Sequence, residues 1–240
     1  MKPILFVRCD AVDTFGLAPD AVRSSGADVQ LWDSMDPDAG RPDLADVDGV
    51  VLFGSTYNVE HAEEQPFIKE VREVTLEAMD RQIPFLGVCF GAQVLAWSLD
   101  AEVGKAPNRE VGFEVVRPDP AAAADPLLGH YRDGDMVFQW HMDTFEPPAG
   151  ATLLATGDRV RNQAFRTGER TWGVQWHFEI DRPELEFWLD TFSHEGDLDA
   201  EWGKSPDDVR AEADAYLETH ERKGRELFAR FVGVVRESAR

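Results

Sequence analysis

The chain has 240 residues, 43% hydrophobic and 10% aromatic, enough for one α/β domain or for one domain with a helical appendage. Its formal charge of −22, from 24 basic against 46 acidic residues, argues against a nucleic-acid partner, because neutralising phosphates requires a basic face. No apolar run approaches the ~20 residues of a membrane helix, so no membrane partner is expected.

Two cysteines, Cys9 and Cys89, offer neither a disulfide framework nor a cysteine zinc site. The apolar start ends at Arg8, too early for a signal peptide, and cytoplasmic residence is the expectation. A salt-rich cytoplasm would screen so acidic a surface, which suits a halophilic source.

Short apolar runs alternate with amphipathic stretches in the first half, the pattern of a parallel sheet with crossover helices. Ile4 to Val7, Val29 to Trp32 and Val50 to Phe53 read as strands buried on both faces. Pro66 opens a helix reaching about Arg81, with Phe67, Val71, Val74 and Ala78 at helical spacing. Phe85 to Val88 is a fourth strand, and Phe90 to Leu99 a helix, which puts Cys89 at a strand–turn–helix corner.

The middle reads as β-rich and partly antiparallel: Val111 to Val116, Met136 to Trp140, Thr152 to Thr156, Gln163 to Phe165 and Thr171 to Trp176. The run Ala121 to Ala124, between two prolines, is expected to be a surface loop. After Glu179 the chain turns helical and charged: Pro183 to His194, Pro206 to Leu217 and about Glu218 to Glu237. These helices suit either a partner contact or a cover over a sheet edge.

Gly87-Val88-Cys89-Phe90-Gly91-Ala92-Gln93 carries the strongest chemical signal. A cysteine on a sharp turn between a buried strand and a helix is pushed out of the sheet, as in a nucleophile elbow. Gly87 and Gly91 allow the tight approach, and the helix N-terminus stabilises negative charge on the sulfur. A buried structural thiol is the bland alternative. Far downstream, Trp172-Gly173-Val174-Gln175-Trp176-His177-Phe178-Glu179 places His177 and Glu179 two apart at a strand end, sharing one face if extended. His177 would then reach the thiol while Glu179 orients the imidazole. Cys9 lacks such a setting and reads as a buried or partly buried thiol, not a second nucleophile.

Together these motifs, Gly-Val-Cys-Phe-Gly-Ala-Gln and Gly-Val-Gln-Trp-His-Phe-Glu, resemble the class I (triad) glutamine amidotransferase superfamily. The chain is most similar there to stand-alone proteins like the amidotransferase domain of GMP synthase, over residues 1–182. The resemblance implies a three-layer α/β fold with a mostly parallel, flavodoxin-like sheet. It also implies a catalytic domain over 1–182 and a helical extension over 183–240 packed on the same domain. It implies Cys89, His177 and Glu179 as a catalytic triad. Backbone amides of Gly54, Ser55 and Phe90 would form the oxyanion hole, although the loop reads Gly54-Ser55-Thr56-Tyr57 where the family has Gly-Gly-Pro. Gly54 suits a simple strand-end turn equally. Gln93 would contact the substrate amino acid, and Gln139, Trp140 and His141 would lie in its binding segment. His141 also suits a packed core histidine, and Glu110 to Gly112 a structural role.

The implied chemistry is hydrolysis of a γ-glutamyl amide through a Cys89 thioester, with no cofactor and no metal. Glutamine or a γ-glutamyl peptide would be the substrate. Because the chain has no ATP-pyrophosphatase loop and no P-loop, ammonia would pass to a separate synthetase subunit. The rivals are a γ-glutamyl peptidase acting without a partner and a non-catalytic regulatory module.

Overall fold

A computed structural model describes residues 1–11, 15–192, 200 and 202–239. Nine strands form one sheet: β1 (Ile4–Arg8), β2 (Val29–Asp33), β3 (Gly49–Leu52), β4 (Phe85–Val88), β5 (Val103–Pro118), β6 (Asp135–Phe145), β7 (Thr152–Gly157), β8 (Asn162–Thr167) and β9 (Thr171–Val174). Their order is β2-β1-β3-β4-β9-β8-β7-β5-β6. The first five in that order pair in parallel, and the remainder pair antiparallel, so the sheet is mixed.

The α-helices described end to end are α1 (Ala18–Ser24), α2 (Pro66–Asp80), α3 (Phe90–Ser98), α4 (Arg182–Phe192) and α5 (Pro206–Ser238). Alternating strand residues divide between two helical layers, as the twofold side-chain period requires. Ile4, Phe6, Val51, Leu86 and Val88 pack with Leu17, Ala18 and Val22 before and within α1 and with Leu227, Phe228, Phe231 and Val235 of α5. Leu5, Val7, Val50, Leu52 and Phe85 pack instead with Ile68, Val71 and Val74 of α2 and with Val94 and Leu95 of α3. The result is the expected three-layer α/β arrangement.

The structure departs from the sequence reading at several points. The two helices expected from Pro206 are one 33-residue helix, α5. Nothing between Leu217 and Glu218 breaks it, and the buried positions Val209, Ala213, Leu217, His220, Gly224, Leu227 and Phe231 continue in steps of three and four. At 1.5 Å per residue it runs about 50 Å. It covers a face of the sheet, not an edge: its first half packs with α4 on Val111, Phe113 and Phe138, and its second half joins the parallel core. The Ala121–Ala124 segment belongs to a 3₁₀ turn, Pro120–Ala124, which buries Ala122. Finally, α1 was not foreseen; seven residues with an internal proline leave little helical period to read. The end expected for α4, at His194, lies outside the described residues. No helix among the described residues is long and apolar enough to cross a membrane.

Candidate active site

Cys89 sits where β4 gives way to α3, with φ 50° and ψ −105°. A side chain beyond glycine is strained there, by roughly 1–3 kcal/mol. The surroundings enforce the turn. Cys89 N donates to Val174 O of β9 (2.8 Å), while Cys89 O accepts from the amides of Ala92 (3.0 Å) and Gln93 (3.1 Å) in α3. Gly91 lies against Leu52 O so closely that no Cβ fits, which draws the helix onto the sheet. Cys89 is 5% exposed, so its thiol is largely shielded from bulk water.

His177 and Glu179 reach this thiol by a route other than a shared strand face. β9 ends at Val174, and the chain then bends, with His177 N donating to Phe138 O (2.9 Å) and Ile180 N to His177 O (3.4 Å). The residues form a turn beyond Val174, which lies opposite Val88, the last residue of β4. The turn folds Glu179 back so that its Oε1 accepts from His177 Nδ1 at 2.6 Å, leaving Nε2 for the sulfur. Both side chains are buried. Burial alone would push the imidazole pKa down. The charges of Glu179 and Cys89, and hydrogen bonds to both, outweigh that and hold His177 well above its ordinary value. Trp188 of α4 meets the imidazole edge to face, with ring centres 4.8 Å apart.

The loop after β3 closes another side of the site, and Gly54 lies directly against the imidazole. Thr56 donates both its amide (2.7 Å) and its hydroxyl (2.6 Å) to Asp10 Oδ2. Ser55 Oγ donates to Cys9 O (2.7 Å) and accepts from Tyr57 N (3.1 Å). The amides of Gly54, Ser55 and Phe90 make no loop or turn hydrogen bond among the described residues. The loop is therefore a braced part of the site and more than a strand-end turn. Cys9 is buried, with Ser34 Oγ 3.8 Å from its sulfur.

The remaining candidates fall in a buried polar chain behind the thiol. Gln175 Nε2 donates to Cys89 Sγ at 3.5 Å, and Gln93 Nε2 meets Gln175 Oε1 (3.4 Å) and Asp143 O (3.2 Å). His141 Nδ1 donates to the same Asp143 carbonyl (2.9 Å), and its Nε2 faces Glu110 Oε2 (2.9 Å). Gln163 Nε2 donates to that carboxylate (3.0 Å), and Gln139 Nε2 donates to Gln163 Oε1 (2.8 Å). The side chains of Gln139 and His141 are thus spent on interior partners, since their alternate positions on β6 face the core. Only the backbone of this segment faces the thiol: Trp140 O lies 4.0 Å from Cys89 Sγ. The Trp140 ring joins Trp188, Phe192 and Trp202 in an aromatic cluster.

Gln175 and Gln163 are the members of this constellation to which the sequence gives no role, while Glu110 holds the structural place expected of it. A buried glutamine between Val174 and Trp176 was the available signal for the first. Among the described residues no group of three or more His, Cys, Asp or Glu could hold a metal ion.

Comparison with known proteins speaks to the family and the fold. The family model for glutamine amidotransferase class-I matches residues 16–189. A relative from Haloarcula marismortui, named as one subunit of a glutamine-hydrolyzing GMP synthase, is 33% identical over 183 residues, covering 74% of this chain and 88% of the relative. A glutamine-hydrolyzing GMP synthase from Porphyromonas gingivalis is 35% identical over 147 residues, 59% of this chain. The match spans only 27% of that longer relative. A solved glutamine amidotransferase from Thermotoga maritima superposes with a TM-score of 0.85 at 26% identity, covering 96% of this chain and 98% of that one. A second, from Methylobacillus flagellatus, reaches 0.88 at 23% identity, covering 97% and 95%, which speaks for the fold. With its elbow cysteine, its His–Glu turn and a match over most of its length, the chain belongs to the class I glutamine amidotransferase family.

Proposed function

We propose that this protein hydrolyses a γ-glutamyl amide, glutamine first, through a thioester at Cys89, and that the ammonia passes to a separate synthetase subunit. The observation that carries the proposal is the line from Cys89 through the His177 imidazole to Glu179, whose Oε1 holds Nδ1 at 2.6 Å. The sulfur, as thiolate, attacks the γ-carbonyl carbon. The resulting oxyanion would be met by the amide of Phe90 at the start of α3 and by Gly54 or Ser55 in the loop, Thr56 being committed to Asp10. As the C–N bond breaks, His177 gives its proton to the leaving nitrogen and ammonia departs. Water then loses a proton to His177 as its oxygen attacks the thioester carbon. Glutamate leaves, and the thiolate beside an imidazolium is restored.

The H. marismortui relative is by name one subunit of a glutamine-hydrolysing enzyme, which supports an ammonia acceptor on another chain. The aromatic cluster whose Trp188 meets the His177 imidazole supports a second reading, a γ-glutamyl peptidase with a leaving group larger than ammonia. Release of ammonia and glutamate from glutamine, and of the amine from γ-glutamyl peptides, tests both in high salt with Cys89→Ala as control. Slow glutamine hydrolysis lost in the mutant supports the amidotransferase. Rapid peptide cleavage without a partner supports the peptidase. Inertness towards both, with Cys89 unreactive to a γ-glutamyl electrophile, sinks the enzymatic reading.

A further inference from the structure

The turn that carries His177 and Glu179 is gripped at three successive carbonyls. Glu179 O accepts from Leu17 N at 2.9 Å. Phe178 O presses on Gly224 of α5 where no Cβ could stand. His177 O accepts from His220 Nε2 of α5 at 2.9 Å. Of the three grips, only the last comes from a side chain.

A carbonyl oxygen can only accept, so the His220 ring carries its hydrogen on Nε2. Its Nδ1 is then a buried lone pair with no hydrogen-bond partner among the described residues. Burying an unmatched polar atom is costly, and a leucine of similar size would fill the space beneath Phe113 without that cost. Burial also holds the His220 pKa down to about 4. The ring therefore stays neutral and adds no second positive charge beside a protonated His177. The residue lies outside the segment matched by the family model, residues 16–189.

We infer that His220 is a positioning residue: its Nε2–H fixes the main chain of His177, and with it the imidazole presented to Cys89. The inference rests on the roles proposed above for Cys89 and His177.

Glutamine can place an amide N–H where His220 has Nε2, whereas asparagine reaches only as far as Nδ1. The test compares His220→Gln, His220→Asn and His220→Leu in the full chain. It follows the pH profile of Cys89 alkylation by iodoacetamide, with the labelled peptide identified by mass, alongside kcat and KM for glutamine. In His220→Leu and His220→Asn, alkylation and kcat are expected to fall about tenfold with KM kept, while His220→Gln stays within about twofold of wild type. A wild-type alkylation profile in His220→Leu overturns the inference. So does a His220→Gln protein as impaired as His220→Leu, or failure of all three to fold by circular dichroism. Normal wild-type alkylation without glutamine hydrolysis would remove the proposed reaction and leave this test readable. A wild-type Cys89 inert to alkylation would remove both.

Discussion

Gly54 and His177 touch so closely that a methyl group on the glycine would stand 2.8 Å from the imidazole Cε1. That is inside any ordinary carbon contact, and one partner must shift. The loop is the stiffer of the two, because the Asp10 carboxylate holds Thr56 and Cys9 O holds Ser55. Gly54→Ala is therefore expected to displace the imidazole. Glutamine hydrolysis should fall by about a hundredfold, in line with the cost of an ångström's misplacement. Melting should change little. A variant of wild-type activity would show that the loop yields.

Strain at Cys89 gives a stability prediction separable from chemistry. Both Cys89→Ala and Cys89→Gly remove the sulfur and should abolish thioester formation. They differ in the backbone, since alanine keeps a side chain at φ 50° and glycine does not. Glycine is expected to leave the protein more stable than alanine by about 1 kcal/mol, after its greater unfolded-state entropy is deducted. Urea unfolding of the two variants checks this, and a more stable alanine variant would mean that the turn is unstrained.

Glu179→Gln keeps an oxygen for His177 Nδ1 and removes the charge. Part of what holds the imidazole above its usual value goes with it. The high-pH limb of Cys89 alkylation, where His177 loses its proton, is expected to move to lower pH. The linked stability has a definite sign. A raised folded-state value stabilises fully below the unfolded value of about 6.5, and the contribution fades as pH rises through the folded one. The stability gap between wild type and Glu179→Gln should therefore narrow as pH climbs above about 6.5. A gap widening with pH would contradict the ion pair.

The excess of 46 acidic over 24 basic residues predicts that salt stabilises the protein. Raising KCl from about 0.1 M to about 1 M shortens the screening length from ~10 Å to ~3 Å, which relieves repulsion between surface carboxylates. Tm is expected to rise by several degrees over that range. A flat Tm would mean that local ion pairs such as Arg117 with Asp133 and Asp158 already balance the surface.

Strands β1, β3 and β4 were legible because burial on both faces leaves uninterrupted apolar runs, and the elbow because glycines flank the cysteine on both sides. What stayed hidden depended on register. Val88 pairs with Val174, so the next residues along the two parallel strands, Cys89 and Gln175, become neighbours. No spacing along the chain reveals that pairing. The His177–Glu179 contact was legible as a pair, but its turn was not, because β9 ends opposite the last residue of β4, a pairing no local spacing reveals. His220 lies in mid-helix without any local mark, and its meaning comes from the carbonyl that α5 happens to cross. Gln139 and His141 sit in the expected segment, but strand alternation turns their side chains inward and leaves the thiol a backbone carbonyl.

The long reach of α5 also bears on how the molecule comes into being on the ribosome. The elbow around Cys89 belongs to the first strands made, yet the turn opposite it is clamped by Leu17 from the beginning of the chain and by His220 and Gly224, which are synthesised after it. The core beneath β1 and β3 likewise waits for Phe228, Phe231 and Val235. A nascent chain that has yet to emit these residues lacks the α5 contacts that hold the His177 turn in the folded protein.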